Sequence, residues 1–182
     1  MALNPNATYL ATARLSYGCS ALAGAWPHTG GTEIGTVSRV EFRPVFKSAP
    51  IVREEDNGVD EVIHLGGEVV LGVILEEWKN ADLRAFFPNS TTNTDEVIQF
   101  PGSTVPAGGP LSGTALEPLV VTPINSEHPA IVIYKAIPVL EVNQAMRWSA
   151  TSHLRVPLLF YGVPDDSGRV AEVGPFSRLT AL

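Results

Sequence analysis

Apolar and polar side chains alternate with a period of two along much of the chain, and that spacing predicts strands. The longest such run leads out of Asp60. Its odd positions, Ile63, Leu65, Gly67, Val69, Leu71, Val73 and Leu75, form an almost wholly apolar face expected to look into a core. Its even positions, Val62, His64, Gly66, Glu68, Val70, Gly72, Ile74 and Glu76, mix charge with hydrocarbon. That composition suits neither plain solvent nor a plain core. It marks Glu68, Gly72 and Glu76 as candidates for a face shared with a neighbouring subunit or a channel. A short helix is expected next, with Asn80 as its cap, Leu83, Phe86 and Phe87 on one side, and Pro88 as its stop.

The same period runs from Val37 to Lys47, where Val40, Phe42, Pro44 and Phe46 oppose Arg39, Glu41, Arg43 and Lys47. Pro44 cannot donate to a ladder, so this strand is expected at an edge or at a bulge. Residues 48–60 are a charged excursion, and Asn57-Gly58 is a hairpin-turn signal. Two long strands joined there predict a hairpin projecting from the body, with Arg53, Glu54, Glu55, Asp56 and Asn57 at its tip. Residues 88–118 are polar and rich in Pro and Gly, which predicts a long functional or partner-contacting loop.

Further strands are expected at Leu119–Thr122, at Ala130–Leu140 and at His153–Tyr161. The middle one is apolar on both faces, Ile131, Ile133, Ile137 and Val139 against Val132, Tyr134, Ala136 and Leu140. It should therefore be the most buried strand or an interface strand. Leu154, Val156, Leu158 and Phe160 give the last strand its core face. Residues 163–168 read as an Asp/Ser/Gly hairpin turn into a final strand through Val170 and Val173. Residues 1–33, rich in small side chains, read as an amino-terminal arm. The expected architecture is a single mainly β domain, a β-sandwich or partly closed barrel with one short α-helix on its flank.

Charge narrows the picture. Charged residues are only 17% of the 182, below the roughly 25% of typical soluble domains, so apolar surface is expected to be hidden by self-association. The net charge of −7 argues against a groove that grips nucleic acid, which needs clustered Lys and Arg. Cys19 is the only cysteine, which excludes an intrachain disulfide. No apolar run approaches the ~18 residues that span a bilayer, and no positive charge precedes an apolar run at the start. A cytoplasmic protein, or one of a particle assembled in the cytoplasm, is expected, with no membrane partner.

Candidate chemistry is thin. His28, His64, His128 and His153 are not paired at metal-ligand spacing. Asp165-Asp166-Ser167-Gly168 lacks the alternating carboxylates of a calcium loop. Glu54-Glu55-Asp56 and Glu76-Glu77 read as solvated charges. Gly18-Cys19-Ser20 starts like a nucleophile elbow, but Leu22 stands where its second glycine is needed. Neither an enzyme, nor a cofactor, nor a metal site is expected.

The order of elements resembles the bacteriophage tail tube proteins. The strand GGEVVLGVILEEW passing straight into ADLRAFF is similar to the middle of that family, where such a strand leads into the single helix covering the sheet. GTVSRVEFRPVFKSAPIVREEDNGVDEVIHLGGE looks like its first strand, projecting loop and return strand, and LRVPLLFYGVPDDSGRVAEVG like its terminal strands. The Pro/Gly-rich stretch from Pro101 to Pro118 and the amino-terminal arm depart from it. The resemblance implies a virion structural protein that forms hexameric rings stacked into a hollow tube. Its partners would be its own copies and other tail proteins, and DNA would pass through without specific binding. In that setting the hairpin 48–60 joins rings, and Glu68, Gly72 and Glu76 line the lumen or a subunit interface. Another virion β-protein (neck, tail terminator, baseplate or head decoration) is the alternative; a ligand-binding sandwich and a hydrolase are further ones.

Overall fold

A computed structural model describes residues 12–22, 28–52, 59–78, 91–92, 98–99, 116–125, 127–139, 147–149, 152–180 and 182. In chain order the strands are β1 (Ala13–Tyr17), β2 (Thr32–Val52), β3 (Val59–Trp78), β4 (Thr91–Thr92), β5 (Ile98–Gln99), β6 (Glu117–Pro123), β7 (Ala130–Val139), β8 (Arg147–Ser149), β9 (Ser152–Val163) and β10 (Ala171–Gly174). Six of them pair in the order β7-β6-β1-β2-β3-β9, and β9 pairs back to β7. The result is a closed antiparallel barrel, which leaves no raw edge around its wall. β8 lies against β9, β10 against β7, and β4 and β5 make a separate small pair. A 3-10 turn at Phe176–Arg178 follows β10. The helix expected over Asn80–Phe87 and nearly all of loop 88–118 lie outside the described residues.

Inward residues from all six strands fill the barrel, among them Leu15, Val37, Leu71, Leu75, Leu119, Ile133, Val156, Leu158 and Phe160. Strict alternation would not close such a tight wall. Ser38 on β2 and Glu76 on β3 are extra residues in the ladder, which pairs Thr36 with Glu77, Val37 with Leu75, and Arg39 with Ile74. Inward positions on β2 step by three, from Ile34, an extra residue in the ladder to β1, to Val37 and then across Ser38 to Val40, before resuming a period of two. Gly35 lies just before these bulges at φ +151, and a Cβ there would sit 1.7 Å from the Glu77 carbonyl oxygen. Only glycine fits so close an approach of two backbones.

Four expectations need correcting. The amino-terminal arm is, in its described part, a barrel stave. β1 runs between β2 and β6 with Ala13, Leu15 and Tyr17 buried, because a close-packed wall can use small residues such as Ser16. Among the described side chains on the odd face of the long strand, those of Val69–Leu75 pack in the core, while Ile63, and Phe46 on the neighbouring strand, are exposed beyond the barrel. On β7 the alternation breaks: Ala136 joins Ile131 and Ile133 in the core, because β7 carries two extra residues between its pairings with Leu119 and Glu117 while β6 carries one. Residues 165–168 turn as expected, with the Gly168 N–H donating to the Asp165 carbonyl oxygen at 2.9 Å, but the turn does not fold β10 back onto β9. β9 pairs with β7 up to Val163↔Lys135, the chain loops out, and β10 resumes along the same edge at Ala171↔Ile133.

A second, smaller cluster lies outside the barrel. Cys19, Val120, Val132 and Tyr134 are covered by Leu22, Phe176, Leu179 and Leu182. The Glu172 carboxylate holds this cover in place, accepting bonds from the Thr180 backbone N–H at 2.8 Å and hydroxyl at 2.7 Å.

Candidate assembly surface

β2 and β3 stay paired from Gly35↔Trp78 to Val52↔Val59, far beyond the barrel. β1 leaves β2 after Val37, and β9 leaves β3 at Val69↔Gly162. Among the described residues, the stretch from Pro44 to Val52 and from Val59 to Glu68 therefore pairs only with itself. Nine or ten residues of extended chain make a ribbon roughly 30 Å long. Pro44 lies on the open edge of β2, as its missing N–H requires. The expected tip, Arg53, Glu54, Glu55, Asp56 and Asn57, lies outside the described residues.

Cross-strand pairing assigns the ribbon's faces. Phe46, opposite Gly67, and Pro50, opposite Val62, continue the row of Val40 and Phe42 out of the barrel. Val45, Ile51 and Ile63 lie on the other face with Lys47 and Glu68. Phe46 is 74% exposed and Val62 59%, and Val45, Ile51 and Ile63 are exposed as well. The Phe46 ring lies over Gly67, where a Cβ would meet it at 3.5 Å. At Gly66, φ is +116 and Leu65 is an extra residue opposite Lys47 and Ser48, so β3 bulges there. A two-stranded ribbon is marginal alone in water, and one with apolar side chains on both faces calls for a partner.

Glu68, Gly72 and Glu76 are strung along the outer face of β3 rather than gathered into a cluster. Glu68, on the ribbon, forms an ion pair with Lys47. Gly72 faces Glu41 and Leu159, and the space its missing side chain leaves is a shallow dimple lined by Val70, Ile74, Pro157 and Leu159. Glu76, at the far end, accepts a hydrogen bond from the Ser38 hydroxyl and pairs with Arg155 at 3.2 Å. Beside them Glu41 receives Arg43 Nε at 2.8 Å and lies 3.8 Å from Arg39. Glu41, Glu68 and Glu76 on this wall thus each have a cation next to them. The sequence pattern exposed the acids but not their partners, which come from β2 and β9.

Cys19, His28, Asp165 and Arg169 are engaged in holding the fold. Cys19 is buried under the outer cluster, and burial pushes its thiol up. His28 is buried too, with Nε2 2.8 Å from the Thr122 hydroxyl and its ring stacked on Phe176 at 5.0 Å. Nothing in the local sequence pointed to it, because Phe176 and Thr122 are distant in the chain. Asp165 organises the loop between β9 and β10: its carboxylate accepts from the Ser167 and Arg169 N–H groups at 2.9 and 2.7 Å and from Arg169 Nε at 2.8 Å. Burial opposes its charge, but the Arg169 backbone and guanidinium together hold the carboxyl below its ordinary value. The Arg169 guanidinium also lies 4.0 Å above the Tyr134 ring, which ties the loop to the barrel wall. Among the described residues no group of three or more His, Cys, Asp or Glu side chains is placed to hold a metal ion. His64 and His153 have no described side chain.

The chain matches no protein-family model and no curated protein.

Proposed function

We propose that the protein is a structural protein of a phage tail that self-assembles into stacked rings forming the hollow tube for genome passage. One observation carries this reading: among the described residues the β2–β3 ribbon leaves the barrel with no further strand beside it, and it exposes Phe46, Val62, Val45, Ile51 and Ile63. A side-chain set of that kind is costly on a monomer and ordinary at a subunit contact. A closed barrel with a long projecting hairpin also agrees with the resemblance of the element order to tail tube proteins. The low charge content points the same way.

In this reading the ribbon, with Arg53–Asn57 at its tip, joins one ring to the next. The wall bearing Glu68, Gly72 and Glu76 meets the neighbouring subunit within a ring. Its carboxylates are already paired with Lys47 and Arg155, so this wall suits a subunit contact better than an acidic lumen. The net charge of −7 keeps the assembly from gripping the genome it conducts. The protein has no catalytic role.

Light scattering across a concentration series and negative-stain imaging of the purified protein test the proposal. Rings or tubes with an open channel are expected. Discrete caps would move the protein to a neck, terminator, baseplate or head-decoration position. A strict monomer at every concentration would refute a structural role.

A further inference from the structure

Residues 175–182 cover the outside of the barrel without being part of its wall. Among the described residues, none of those filling the barrel lies beyond Ala171. The chain leaves the ladder to β7 at Gly174↔Ala130, and the 3-10 turn that follows closes its backbone bonds on itself. Arg178 N–H donates to the Pro175 carbonyl oxygen at 2.8 Å, and Leu179 N–H to that of Phe176 at 3.3 Å. The hold on the body comes from side chains. The Phe176 ring stacks on His28, Leu179 and Leu182 pack on the cluster of Cys19, Val120, Val132 and Tyr134, and the Glu172 carboxylate grips Thr180 through its N–H and its hydroxyl. A segment attached in this way opens at lower free energy than the strands beneath it.

We infer that residues 175–182 form an acid-released latch on the barrel, which lifts as a unit while the barrel stays closed and uncovers Val120, Val132 and the Cys19 thiol. The trigger is Glu172. Tyr134 of β7, Arg169 of the loop between β9 and β10, and Thr180 of the cover face it. Asp165 stands behind Arg169, accepting its Nε–H at 2.8 Å. The two Thr180 bonds hold the Glu172 carboxyl below its ordinary value; burial opposes this, while Tyr134 and Arg169 add to it. A carboxyl held low contributes its stability in full above the ordinary carboxylate range and loses it as pH falls through the folded value. Protonation removes the charge that strengthens both Thr180 bonds, and the cover is then kept down by its apolar side chains alone.

Hydrogen exchange read by mass spectrometry on the full chain, corrected for the intrinsic rate at each pH, tests the latch. E172Q stands in for the protonated acid, and circular dichroism establishes that it is folded. At pH 7 it is expected to speed exchange across residues 175–182 about 10-fold and to leave β1, β6 and β7 unchanged. Between pH 6 and pH 3 the parent should converge on the variant; Asp165 titrates in both and cancels in their ratio. Cys19, the only thiol, is buried and gives a second readout, with alkylation by iodoacetamide at pH 7 about 10-fold faster in E172Q. Exchange across 175–182 that is the same in E172Q as in the parent would overturn the latch. So would a parent-to-variant ratio that stays constant down to pH 3, or barrel strands that open together with the cover. Faster exchange with unchanged alkylation would overturn the claim that the cover guards Cys19.

Discussion

Replacing Tyr17 by phenylalanine should flatten the alkaline limb of the stability profile by an amount the structure sets. Tyr17 points from β1 into the barrel core, with its hydroxyl 3.5 Å from the Ala136 carbonyl oxygen. Burial, reinforced by the negative charge of Glu117, pushes its pKa from 10.0 up to about 12, although the Glu117 backbone N–H offsets part of that rise. The folded chain therefore keeps this proton at pH values where the unfolded chain has lost it. The associated stability is whole below pH 10 and falls as pH rises toward 12. Linkage gives a loss of about 1.4 kcal/mol at pH 11 and about 3 kcal/mol once both forms are ionised. Urea unfolding of the parent and of Y17F, followed by tryptophan fluorescence at pH 8, 9, 10, 10.5 and 11, measures it. Lysine and arginine titrate alike in both proteins and cancel in the difference. A parent-minus-variant difference that stays constant to pH 11 would refute the claim that Tyr17 ionises against the core.

Two other perturbations probe the barrel and the ribbon separately. Gly35→Ala should cost at least about 3 kcal/mol, because its methyl group would overlap the Glu77 carbonyl and its φ of +151 disfavours a side chain; thermal melting measures it. Deleting Val52–Val59 should leave the melting temperature within a few degrees, since the described core ends at Phe42 on β2 and resumes at Val69 on β3, well away from the deletion, and should abolish stacking of rings in electron micrographs.

Much of this fold could be read from side-chain spacing, and the failures share one physical cause. Periodicity located β2, β3, β6, β7 and β9 because each presents a run of apolar residues at every second position. It missed β1, where Ala13, Leu15 and Tyr17 alternate over only five residues among alanine, serine and glycine. It also placed Ile63 on the core face and set Phe46 on the side of Val40 and Phe42. Whether an alternating residue is buried depends on the next strand over, and β9 ends its pairing with β3 at Val69. That is a non-local fact. The bulges at Ser38 and Glu76 change which parity faces inward, and nothing in the residue types announces them. The candidate face suffered similarly. Glu68 and Glu76 were visible as acids on a mixed face, but their neutralising partners Lys47 and Arg155 belong to other strands.

The position of β1 in the barrel sets the order in which the chain can fold. β2 and β3 are joined by one hairpin, and β3, β9 and β7 can find one another within the later part of the chain. β1 must pair with β6, where Tyr17 meets Leu119 and Ala13 meets Pro123, about a hundred residues away. During synthesis this strand is made early and then waits for its second neighbour. Until β6 arrives, β1 exposes one unpaired edge, as β6 does afterwards until it meets β1. Closure of the barrel removes both at once. The slow step in folding and the step that ends the risk of premature aggregation are thus the same event.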